Sequence, residues 1–145
     1  MKLKIILSLA FVLSVGFGCA NHSQHTPHSD RAHALETAFR YTFDKFSSRT
    51  RDFPEFVIVE DTEFASWLVS EFRGYKPAVL STASGRVSPM FNNWSAKIQA
   101  IGDNHATIWV RFYQFPESGG GYILELHREK RRWIVDSEKC SQTGS

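Results

Sequence analysis

From Trp94 onward the chain alternates apolar and polar residues with a period of two, and this constrains its fold more than any other feature. Trp94, Ala96, Ile98 and Ala100 form one apolar series, Ala106, Ile108, Val110 and Phe112 the next, and Tyr122, Leu124 and Leu126 a third. Such spacing places each series on one face of a sheet. Gly102-Asp103-Asn104 reads as a turn, Pro116-Glu117-Ser118-Gly119-Gly120-Gly121 as a loop, and Glu129-Lys130-Arg131-Arg132 as a last turn before the strand Trp133-Ile134-Val135. Short connections join antiparallel neighbours, so the pattern predicts a curved four-stranded antiparallel meander.

Upstream the period becomes helical. Leu35, Phe39, Thr42, Phe43 and Phe46 share one stripe of a helix expected over 32–47, with Ser29-Asp30 as its cap. Pro54 marks a loop, and Phe56-Val57-Ile58-Val59 reads as a short strand. Asp61 or Thr62 is expected to cap a second helix whose buried stripe is Phe64, Trp67, Leu68 and Phe72, with Gly74 just past its end. Pro77 to Leu80 suggests another short strand, and residues 81–93 a loop. Helices on one face of such a sheet define an α+β domain. A chain of 145 residues holds one such domain, and its 12 Phe, 4 Trp and 4 Tyr can fill a core. Hydrophobic and charged fractions of 42% and 22% exclude a disordered or collagen-like chain.

Residues 1–18 read as a signal peptide. Lys2 and Lys4 form a positive start, Ile5 to Val15 an apolar run too short to span a bilayer, and Gly16 and Gly18 the small residues at its end. The formal charge of +2 comes from those two lysines. Without them, basic and acidic residues balance at 15 each. A nucleic-acid partner calls for a basic face, and the one candidate, Lys130-Arg131-Arg132, is flanked by Glu129 and Asp136. No nucleic acid is expected.

A cysteine directly after a small residue at the end of an apolar run resembles the lipobox of bacterial lipoproteins, here Gly18-Cys19. The resemblance covers residues 1–19 and implies that Cys19 becomes the diacylated first residue. Ala20, in place of a retaining aspartate, implies an outer-membrane anchor facing the periplasm. Acyl chains contribute about 0.8 kcal/mol per buried methylene, so several anchor stably. The alternative is ordinary cleavage at the glycine pair, giving a secreted or soluble periplasmic chain in which Cys19 and Cys140 can form a disulfide.

Residues 19–31 are polar and contain Pro27, as in a tether, and residues 140–145 read as a polar tail, which leaves 32–139 for the domain. His22, His25, His28 and His33 are weak metal candidates, because the segment has neither a thiolate beyond Cys19 nor a scaffold to fix geometry. No cofactor is expected. The chain carries no HExxH, CxxC, P-loop or GxSxG. His105 and His127 are possible general bases, Glu125 being the carboxylate expected to orient His127. Glu60-Asp61 reads as a strand end and helix cap.

The second face of the sheet is the more informative one. Trp109, Arg111, Tyr113 and Phe115 point away from the core side of their strand, and Glu125 and His127 are expected to join them. Aromatics with arginine are the composition of binding hot spots, so a protein partner is expected there.

Tyr122-Ile123-Leu124-Glu125-Leu126, a charged turn, then Trp133-Ile134-Val135-Asp136 resembles the terminal hairpin of NTF2-like domains. The resemblance spans roughly 32–138 and implies a cone-shaped fold with a curved sheet packed on N-terminal helices. That family has three helices before its main sheet where two are read here, so a cystatin-like arrangement stays open. Two functions follow as expectations. One is a non-catalytic envelope lipoprotein that binds a macromolecular partner, as an assembly or accessory factor or an immunity-type protein. The other is a small periplasmic pocket enzyme or ligand carrier.

Overall fold

The computed structural model describes residues 27–47, 55–82, 92–114 and 118–141. In chain order these form α1 (Pro27–Ser47), β1 (Glu55–Ile58), α2 (Ala65–Glu71), β2 (Ala78–Ser81), β3 (Asn92–Ile101), β4 (His105–Gln114), β5 (Ser118–Glu129) and β6 (Arg132–Ser141). The protein is α+β, with both helices sharing one core with a single sheet.

Among the described residues that sheet has six strands rather than four, in the order β2-β1-β3-β4-β5-β6. The last four pair antiparallel, as the turn signals require. The two short strands extend the sheet in parallel, β1 lying between β2 and β3. Residues 55–58 and 78–81 are connected through α2, a crossover that a four-residue apolar run does not announce. The expected purely antiparallel four-stranded sheet is therefore replaced by a mixed one.

Helix α1 forms because its apolar residues recur every three or four positions, and that stripe is buried: Ala34, Leu35, Ala38, Phe39, Phe43 and Phe46. Thr42 lies within the stripe, its hydroxyl donating to the carbonyls of Ala38 at 2.9 Å and Phe39 at 3.0 Å. The helix starts at Pro27, five residues before the expected start at 32, so Pro27–Arg31 belongs to the helix and not to a tether. Proline suits a first helical turn, where its missing N–H has no partner to lose. Arg128 on β5 pins this first turn, gripping Asp30 with guanidinium–carboxylate distances of 2.5 and 3.2 Å.

Aromatic rings fill the space between α1 and the sheet. Phe43 stacks on Phe56 at 4.3 Å with planes 2° apart, and meets Trp94 edge-on at 5.4 Å. Phe46 packs on Trp94 at 5.3 Å and on Phe112 at 5.5 Å. Pairs at these separations add about 0.5–1.5 kcal/mol each beyond area burial.

Helix α2 is shorter than expected. It begins at Ala65 after Phe64, which is in the left-handed region at φ 60° and makes no side-chain cap. Neither Asp61 nor Thr62 caps it. Gly74 does take a positive φ of 82°, three residues beyond the helix end. The sheet corrects three more expectations. Ser118 to Gly121 belong to β5 and not to a loop, residues 92–93 belong to β3, and the last strand runs to Ser141, taking two residues from the expected tail. A bulge at Gln99 shifts the register of β3, so Ile101 takes the core side and Ala100, expected there, is exposed.

Candidate functional site

The core face holds Trp94, Ala96, Ala106, Ile108, Val110, Leu124 and Leu126, all buried. The opposite face is therefore set by parity. It carries Asn93, Ser95 and Lys97 from β3; Thr107, Trp109, Arg111 and Tyr113 from β4; and Gly121, Ile123, Glu125 and His127 from β5. Among the described residues no helix covers this face, because the buried residues of both helices belong to the core on the other side.

At its centre Arg111 stacks along its own strand, the guanidinium carbon 4.5 Å from the Trp109 ring centre and 5.3 Å from that of Tyr113. Its neighbours across the strands are small, Ser95 on β3 and Gly121 on β5. The glycines of β5 explain why this arrangement fits. A Cβ on Gly121 would lie 3.1 Å from Trp109 Nε1 and 2.9 Å from the Val110 carbonyl oxygen. One on Gly120 would lie 2.7 Å from the Phe112 ring on the core side. The run that reads as a loop is a strand with room on both faces for the rings of β4. Tyr113 is 45% exposed at the end of the stack.

Toward the other end of β4 the polar groups pair off. Glu125 accepts from the Thr107 hydroxyl at 2.8 Å and lies 2.9 Å from His105 Nε2. His127 Nδ1 instead meets Asp136 Oδ1 at 2.5 Å. The expected His127–Glu125 couple is thus not formed. The cause is a bulge in β6: Glu125 faces Ser137 while Leu126 faces Val135, leaving Asp136 unpaired in the ladder and turned toward His127.

The structure also shows a cleft that sequence reasoning missed. It has a volume of about 510 Å³ and lies where β1 leaves β3. Arg31, Asp61, Thr62, Glu63, Lys97 and Trp109 line it, together with Ser95, Ala96, Ile98 and Arg111. Arg31 is held by Glu63 at 2.8 and 2.6 Å, and this contact draws the Glu63 carboxyl below its ordinary range. Thr62 is 4% exposed, and its hydroxyl has no hydrogen-bond partner. The same holds for Trp109 Nε1 and Arg111 Nε. These three atoms are themselves buried, so they lie behind the wall of the cleft and not on its surface. The cleft depends on a strand crossover that brings residues 61–63 beside residues 95–98, which no local pattern announces.

The remaining sequence candidates are dispersed. His28 and His33 pack against aromatic rings, Phe64 at 4.3 Å and Trp67 at 5.5 Å, and His33 Nδ1 donates to the Ser29 carbonyl at 2.6 Å. No cluster of three or more His, Cys, Asp or Glu suited to a metal occurs among the described residues. Cys140 is exposed near the end of β6. Cys19, His22, His25 and Phe115 lie outside the described residues.

Comparison with known protein families, with curated proteins and with solved structures finds no match. The α+β class and the open sheet face therefore rest on this chain's own geometry.

Proposed function

We propose that this protein is a non-catalytic envelope lipoprotein, anchored through Cys19 and facing the periplasm, whose domain docks a protein partner as an assembly factor or immunity-type protein. The observation that carries the docking is the Trp109–Arg111–Tyr113 stack on a sheet face that no described helix covers. Stacked aromatics and arginine are pre-organised, so little side-chain freedom is lost on contact. The anchoring rests on the leader sequence. Among the described residues no helix is long and apolar enough to cross a membrane.

The finer fold reading, an NTF2-like or cystatin-like cone, belongs to the same proposal. The four consecutive antiparallel strands packed against α1 support it, and the parallel β1–β2 pair departs from it. The space that a ligand would occupy in such a cone is filled here by Phe43, Phe46, Trp94 and Phe112, which favours docking over a pocket enzyme.

The docking is tested by replacing Trp109 and Arg111 with alanine and following partner capture from detergent extracts. Capture is expected to drop at least tenfold, and unchanged capture would remove this face from consideration. Mass spectrometry of the mature N-terminus is expected to show an acylated Cys19. An unmodified one refutes the anchor. A turnover lost on changing His105, which sits with Glu125 and Thr107, would replace docking with pocket chemistry.

A further inference from the structure

The backbone of β3 has a free edge inside the cleft. On that side β1 pairs only with Asn92, Asn93 and Trp94, and the last bond of this junction is Val59 N–H to the Trp94 carbonyl at 2.9 Å. Backbone groups of a strand face alternate sides with a period of two. The Trp94 carbonyl faces β1, so the N–H and C=O of Ala96 and Ile98 face the same way, with no strand among the described residues beside them. Both residues line the cleft.

An unpaired strand edge is a template for another strand. Native edges are commonly blunted by a bulge, and β3 has its bulge at Gln99, just beyond this stretch. The open stretch is therefore short and bounded, by β1 at one end and the bulge at the other. Its surroundings favour an acidic occupant. Arg31 is already engaged by Glu63, but Lys97 is exposed and beside the edge, and Arg111 lies across Ser95, whose small side chain leaves the way open. Arg31 and Glu63 cancel each other in the lining, which leaves Lys97 and Arg111 against Asp61.

We propose that this cleft takes an extended acidic segment of a partner protein as a seventh strand, its backbone bonding to Ala96 and Ile98 and its carboxylates meeting Lys97 and Arg111. This rests on the reading of the outer face as a protein-docking surface, and names the conformation and charge of what docks there. Main-chain bonds supply affinity in such strand addition, and the flanking side chains supply selectivity.

The test uses the full chain and two synthetic peptides, acetyl-Glu-Val-Glu-Val-Glu-Val-Glu-amide and its counterpart with lysine at each glutamate. The acidic peptide is expected to slow hydrogen exchange of the Ala96 and Ile98 amides at least tenfold, and the basic one to leave them unchanged. Lys97→Glu is expected to weaken the acidic peptide at least tenfold. Ala96→Pro is expected to abolish its protection of Ile98 while sparing the β3–β4 ladder, because the lost N–H faces the free edge. Absence of protection at both amides, equal protection by the basic peptide, or protection confined to the outer edge of β6 would each overturn the proposal. Partner capture separates the two readings. Loss with Trp109→Ala but retention with Ala96→Pro and Lys97→Glu overturns strand addition and leaves the docking face standing. Retention in all three overturns both.

Discussion

Gly121 lies directly under the Trp109 indole, where a Cβ would stand 3.1 Å from Nε1 and only 2.9 Å from the Val110 carbonyl oxygen. A flexible side chain can yield to an added methyl, but a backbone carbonyl cannot. Gly121→Ala is therefore expected to destabilise the domain by about 1–3 kcal/mol through overpacking. Gly119→Ala meets only the Tyr113 ring at 3.4 Å, with the Phe112 carbonyl at 3.6 Å, and is expected to be nearly neutral. Urea titrations of the two variants check this. Equal midpoints would show that the glycine run is not fitted to the rings.

Phe43 is the hub of the core. It touches Phe39, Phe56, Phe72, Tyr75 and Trp94. Phe43→Ala is expected to cost about 3–5 kcal/mol, a large share of a domain's stability of about 5–15 kcal/mol. The measurement is the thermal midpoint, with dye binding to report any loosened core.

Arg128 and Asp30 are both mostly buried, with side chains 16% and 21% exposed. Replacing Arg128 by methionine keeps much of the aliphatic packing over Trp133 and removes the fork. The loss is expected to be about 1.5–3 kcal/mol, as for hydrogen bonds to charged groups. A double-mutant cycle with Asp30→Asn should return a coupling above about 0.5 kcal/mol. Strict additivity would show the clamp to be idle.

The Lys45 ammonium, hydrogen-bonded to Glu138, draws the Glu138 carboxyl below its ordinary value of 4.5, and the Tyr41 hydroxyl adds to the effect. The same bond raises Lys45 above 10.5. A depressed carboxyl stabilises the fold above its unfolded value and stops doing so as pH falls through its folded value. A raised amine stabilises below its unfolded value and stops above its folded one. Wild type is therefore expected to exceed Glu138→Gln in stability on the plateau between about pH 5 and 10, with the gap closing outside it. Partial exposure of both side chains, 40% and 26%, limits the gap to about 1 kcal/mol. A gap that widens in acid would contradict this assignment.

Much of this architecture was legible in the chain. The stripe from Leu35 to Phe46 and the alternation from Trp94 to Leu126 are local patterns, and each element they imply is present. The misreadings share a cause. Gly119 to Gly121 look like a loop until the rings of Trp109, Phe112 and Tyr113 lie across them, and those rings are on another strand. Residues 140 and 141 look like a tail because an edge strand over a covered core buries few of its side chains. The face bearing Trp109, Arg111 and Tyr113 was legible, since parity alone assigns it. The partner of His127 was not, because a bulge at Asp136 decides it. The cleft beside Ala96 and Ile98 depends on where β1 ends against β3, a long-range fact with no sequence signature.

The grip of Arg128 on Asp30 also has a mechanical side. Asp30 sits three residues inside the start of α1, at Pro27. Tension on the start of α1 is handed through that fork to the end of β5, beside the edge strand β6, before it can peel the helix away. A domain pulled at its leading end would thus keep α1 seated on the sheet under load.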